Sequence, residues 1–182
     1  MLTQQKIDFY EKHGYIGVEG VLSGAEVGEL RRVTDEFVEK SREVTDHTDL
    51  YDLEPGHTSE NPRLRRLKSP MAVHEVYQKT LHHPEILTIV SQLIGFELRC
   101  NGNKLNMKLP EIGSPVEWHQ DWGFYPHTND DLLAVGVCID DMTVENGALL
   151  VIPGSHCGPV YDHHQDGHFC GAITDPSFDD KS

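Results

Sequence analysis

The spacing of hydrophobic and polar positions changes period near residue 95 of the 182-residue chain. Before that point the apolar residues recur at helical intervals. Thr3 caps a first segment with Ile7 and Tyr10 on one face, and Gly14 in "KHGY" can stop it with a positive φ. "YIGVEGVL" then alternates roughly, which predicts a strand weakened by glycines. "SGAEVGELRRVTDEFVEKSREV" sets Ser23 and Glu26 in capping-box register and carries Val27, Leu30, Val33 and Phe37 at helical spacing, so a long helix is predicted. Residues 45–62 are polar, hold two prolines and lack a sustained period, which predicts a surface loop. In "HHPEILTIVSQLIGF" Pro84 suits a first helical position, Ile86, Leu87, Ile89, Val90, Leu93 and Ile94 form a broad apolar face, and Gly95 ends it.

From Phe96 onward the runs shorten. "FELRC", "KLNMKL", "PVEWHQDW", "LLAVGVCID" and "ALLVIP" are strand-like and separated by Gly, Pro, Asn and Asp. Helices followed by many short strands predict a single domain over 1–182, helical over 1–95 and strand-rich over 96–182, of an α+β to mainly β class with an antiparallel barrel or jelly roll. The final "DHHQDGHFCGAITDPSFDDKS" reads as polar loop. With few strands after Pro153, the chain is expected to continue past Ser182 in its native form.

Composition narrows the function classes. Thirty acidic against fifteen basic residues give a formal charge of -15, which repels polyphosphate backbones, so no nucleic-acid partner is expected. No run approaches the eighteen or so apolar residues of a membrane span, and the N-terminus lacks a secretory pattern. A cytoplasmic protein without membrane association is expected; its oligomeric state is not legible. Cys100, Cys138, Cys157 and Cys170 show no C-x-x-C spacing, and all four read as structural, the first two as small hydrophobes in apolar strands.

The chemistry concentrates in a repeated string. His119-Gln120-Asp121 recurs as His164-Gln165-Asp166, and His47-Thr48-Asp49 is a third His-x-Asp. On a strand, side chains at i and i+2 share a face, so His-x-Asp can present an imidazole nitrogen and a carboxylate oxygen together. Only the first copy has strand-like apolar flanks; the others lie in polar stretches and read as solvated surface. From these residues alone, His119 and Asp121 are either a hydrogen-bonded pair or two metal ligands. Two donors fall one short of the 2-His-1-carboxylate set of non-haem iron enzymes.

The ordered string "WHQDWGFYPHTNDDLLAVGVCIDDMTVENGALLVIPGSH", with "FYEKHGYIGVEGVLSGAEVGELR" and "HHPEILTIVSQLIG" before it, resembles the phytanoyl-CoA dioxygenase family of iron(II)- and 2-oxoglutarate-dependent oxygenases. The resemblance implies a double-stranded β-helix, cupin-like, with the N-terminal helices packed outside. It implies Fe(II) as cofactor, 2-oxoglutarate as cosubstrate, and a small-molecule substrate hydroxylated with molecular oxygen. His119 and Asp121 match two iron ligands. Lys108 in "NMKLP" matches a lysine kept near 2-oxoglutarate; read from its residues, it is either that cation or an exposed edge-strand lysine. Asn146-Gly147 and Pro153-Gly154-Ser155-His156 suit turns, Glu145 braces the first, and Trp122 or Phe124 can edge the pocket. The family's distal histidine and its 2-oxoglutarate-binding arginine find no match before Ser182, and His163, His164 and His168 come too early. By the resemblance the chain is therefore C-terminally truncated, and its alternative reading is a catalytically incompetent jelly-roll fragment or weak metal binder. A zinc- or manganese-dependent cupin-like isomerase shares the same fold logic.

Overall fold

The computed structural model describes residues 1–110, 113–125, 128–129 and 131–180. Thr3 opens helix α1 (Gln4–His13) by accepting the Lys6 amide on its hydroxyl, and Gly14 closes it at φ 78°. Both caps are where the sequence puts them. Helix α2 (Gly24–Lys40) starts with the reciprocal Ser23–Glu26 capping box and buries Leu30, Val33 and Phe37, three of the four positions its period selects. Helix α4 (Pro84–Ile94) has Pro84 in its first turn and ends at Gly95.

The sequence reading missed the elements that complete the core. The expected loop over 45–62 contains strand β1 (Tyr51–Leu53), and beyond it lie β2 (Leu64–Lys68) and helix α3 (Glu75–Leu81). β2 takes the centre of an antiparallel sheet, with Tyr51 opposite Leu67 on one side and Leu105 of β3 (Lys104–Asn106) opposite Leu67 on the other. α2 lays Leu30, Val33 and Phe37 against Tyr51, Leu53, Leu64, Leu67, Val76 and Tyr77, forming the hydrophobic core. β1 escaped detection because a three-residue strand has no room for a period. What anchors its loop is polar: the His57 ring accepts the Arg63 amide on Nδ1 at 2.8 Å and turns Nε2 towards the Ser41 and Val44 carbonyls at 3.0 Å.

Beyond residue 95 the structure departs from the expected strands. "FELRC", "PVEWHQDW", "LLAVGVCID" and "ALLVIP" lack ladder pairing, as does the earlier "YIGVEGVL", and of the late runs only "KLNMKL" supplies a strand, β3. Alternation describes a side-chain surface suited to a sheet; the strand itself needs a neighbour to receive its N–H and C=O groups. Without one, Val135, Leu149, Leu150 and Val151 stand exposed, Leu149 at 73 %. The cysteines follow suit: Cys100 and Cys138, expected inside, are exposed free thiols, as are Cys157 and Cys170. The expected terminal loop instead folds into a small hairpin, β4 (His164–Gln165) and β5 (His168–Phe169), turned by Asp166 at φ 51° and Gly167 at φ 78°. Among the described residues no helix is long and apolar enough to cross a membrane.

Candidate metal centre

His119 and Asp121 come together, though by a different local route from the one expected. Gln120 is extended at φ -114° and ψ 125°, and Asp121 then begins a single helical turn, α5 (Asp121–Phe124). The pair sits at a loop-to-helix junction, not along a strand. His119 Nδ1 donates to the Glu117 carbonyl at 2.8 Å, which leaves Nε2 facing Asp121 Oδ1 at 3.4 Å. A ring oriented through one nitrogen offers the lone pair of the other, the arrangement metal-bound histidines adopt. The hydrogen bond with Asp121 raises the His119 pKa against the effect of burial, and the same bond lowers that of Asp121. Two converging donors, one nitrogen and one oxygen, are the kinds of atom that first-row divalent cations take. Among the described residues no group of three His, Cys, Asp or Glu side chains is placed to hold an ion.

The flanking residues divide between the two sides of the pair. Gln120 turns away from the pair: its amide nitrogen donates to the Pro159 carbonyl at 3.0 Å and its oxygen accepts the Tyr161 amide at 2.8 Å. Phe124 edges the site, its ring 5.4 Å from the His119 ring in a T-shaped contact. Part of the polar stretch after it, residues 126, 127 and 130, lies outside the described residues.

Lys108 is exposed, and its amine donates to the Ser114 carbonyl at 2.7 Å. The cation whose charge reaches His119 and Asp121 is Lys104, four residues earlier on β3. The other His-x-Asp strings do not close on themselves. His164 pairs with Asp162 at 2.7 Å while Asp166 occupies the hairpin turn, and His47 pairs with Asp52 at 3.0 Å. Asn146-Gly147 and Pro153–His156 form turns, the latter docked on α1, where the Gly154 amide donates to the His13 carbonyl at 2.8 Å. The unforeseen residue is His163, which the loop reading left to solvent. It is 3 % exposed, and Nε2 accepts the Gln120 amide at 2.9 Å. Asp166-Gly167, a strong hairpin signal between two short runs, would have marked the polar segment as structured.

A family model for phytanoyl-CoA dioxygenase (PhyH) matches residues 10–179. The chain belongs to the phytanoyl-CoA dioxygenase family. It is 33 % identical over 182 residues to a probable alpha-ketoglutarate-dependent hypophosphite dioxygenase of Stutzerimonas stutzeri, covering 99 % of this chain and 63 % of the relative. It is 30 % identical over 164 residues to the L-proline trans-4-hydroxylase of Streptomyces griseoviridis, covering 87 % of this chain and 57 % of that protein. To the human peroxisomal phytanoyl-CoA dioxygenase it is 23 % identical over 171 residues, covering 90 % and 50 %. Against these phytanoyl-CoA dioxygenase family members the chain therefore spans between half and two thirds of their length.

Proposed function

We propose that this chain serves an iron(II)- and 2-oxoglutarate-dependent dioxygenase that hydroxylates a small organic substrate, with His119 and Asp121 as two of its metal ligands. The observation that carries the reading is the His119 ring, tied through Nδ1 to Glu117 so that Nε2 faces the Asp121 carboxylate at 3.4 Å. The names of the relatives, a hypophosphite dioxygenase, a proline hydroxylase and a phytanoyl-CoA dioxygenase, support the reaction class and differ in substrate. In this reading the later runs belong to a double-stranded β-helix, cupin-like, whose strands pair around the site.

When bound, iron(II) with 2-oxoglutarate and molecular oxygen supplies the oxidising chemistry of the hydroxylation. The chain's residues do the rest. His119, on giving up its proton, would hold the cation through Nε2 beside the Asp121 carboxylate, with a third protein donor completing the set. Phe124 lays an apolar edge against the imidazole and keeps water from that side. Lys108 offers an exposed ammonium for a cosubstrate carboxylate. The test is anaerobic loading with iron(II), then oxygen and 2-oxoglutarate with a panel of small substrates. Succinate formation that disappears in His119→Ala and Asp121→Ala is expected; no succinate from a full-length protein under any substrate overturns the proposal.

A second reading is favoured by the exposed side chains of Val135, Leu149, Leu150 and Val151. In it the 182 residues alone bind metal weakly and do not turn over. Stoichiometric iron binding with a 2-oxoglutarate-dependent charge-transfer band by this chain would count against it.

A further inference from the structure

His163 is the one buried histidine among the described residues, and it is built into the backbone of the candidate metal centre. Its Nδ1 lies 2.8 Å from the Tyr161 carbonyl and its Nε2 lies 2.9 Å from the Gln120 amide nitrogen. A carbonyl only accepts and an amide N–H only donates, so Nδ1 carries the proton and Nε2 the lone pair. That pattern requires one neutral tautomer of the ring. The peptide nitrogen it holds belongs to the residue between His119 and Asp121. Gln120 adds two side-chain bonds to the same strip, at Pro159 and Tyr161.

Packing seals the arrangement. A Cβ on Gly123 would stand 3.1 Å from His163 Nδ1, so the ring fills the space that glycine leaves open. Phe169 stacks on His163 with 19° between the planes, and Phe124 meets both His163 and His119 edge-on. The hairpin behind His163 is held in turn by the Cys170 amide on the His163 carbonyl at 2.9 Å.

We infer that His163 is a positioning residue: by accepting the Gln120 amide it fixes the peptide between His119 and Asp121 and so sets how the two donors face a metal ion. The inference rests on the metal reading above for its consequence, and on geometry alone for the hydrogen bond. Loss of an outer partner of this kind weakens metal binding by about tenfold or more.

Three measurements on the 182-residue chain test it. In uniformly 15N-labelled protein, a through-hydrogen-bond coupling between the Gln120 amide nitrogen and His163 Nε2 is expected, with the proton on Nδ1. His163→Gln carries a side-chain oxygen to the place of Nε2, whereas the shorter His163→Asn reaches only the place of Nδ1. The Gln120 amide should therefore exchange about tenfold faster in the asparagine variant and close to the wild-type rate in the glutamine variant. Cobalt(II) alone, titrated into each, should bind about tenfold more weakly to the asparagine variant and near normally to the glutamine variant. Absence of the coupling, or equal behaviour of the two variants, overturns the inference, and if the asparagine variant does not fold, the wild-type coupling decides. A wild-type chain that shows the coupling but binds no cobalt overturns the metal reading and leaves the hold on Gln120 standing.

Discussion

Two residues carry interactions that a substitution can isolate. Gly14 is in the left-handed region at φ 78°, and a Cβ there would stand 2.4 Å from His156 Nδ1, whose ring also faces the Glu11 carbonyl through Nε2 at 3.0 Å. Gly14→Ala should lower stability by about 1–2 kcal/mol from the backbone alone, with a further loss as His156 is displaced; an unchanged urea midpoint would show that the docking of 154–156 on α1 is not built as described. Glu54 is the second. Burial pushes its carboxyl up, but the Ser114 hydroxyl and amide donate to it and Arg65 and Lys108 add charge, so its pKa is lowered from 4.5. The sign follows: a depressed carboxyl stabilises the fold above its unfolded value and loses that contribution as pH falls through the folded one. Stability should fall as the pH drops below 4.5, and Glu54→Gln should flatten that acid limb. Parallel limbs in wild type and variant would refute the assignment.

Among the elements, α2 and β2 dominate. Leu67 sits at the centre of the sheet, fully buried and facing α2. Leu67→Ala should cost about 2–5 kcal/mol, read from chemical denaturation; a loss under 1 kcal/mol would mean the core closes over the gap. How much of this was legible depends on length and partner. α2 and α4 are readable because three or more turns repeat an apolar face, and the shorter α1 because Thr3 and Gly14 mark its two ends. β1 is too short to show a period, and β4 and β5 are carried by an Asp-Gly turn within residues that look uniformly polar. Apart from β3, the late apolar runs carry the alternation of strands but have no ladder partner among the described residues, since alternation records the side chains while pairing depends on a neighbouring strand. The candidate site was half legible: His119 and Asp121 follow from a two-residue spacing, but His163 lies 43 positions from Gln120 and no local pattern links them.

For the whole molecule, charge and apolar exposure pull in opposite directions. A formal charge of -15 keeps copies apart at neutral pH, yet Val135, Leu149, Leu150 and Val151 expose apolar side chains on segments without ladder pairing, a surface prone to association. Self-association is therefore expected to rise with salt, which screens the repulsion. Leu150→Glu should reduce it in sedimentation experiments while changing stability by less than about 0.5 kcal/mol. Association insensitive to both salt and this substitution would place the contact elsewhere.

The hold of His163 on Gln120 also orders events in time. A bond spanning 43 positions closes a long loop, and long loops close after local helices and neighbouring strands have formed. The buried cluster of α2, β1, β2 and α3 draws all its members from residues 30–77. The pair that would meet the metal is then set only once the hairpin of residues 164–169 arrives. In pulse-labelling during refolding, the Gln120 amide should gain protection later than the amides of α2, and simultaneous protection would mean the two regions fold as one. A ribosome that has released residue 121 has therefore made both donors without yet making their geometry.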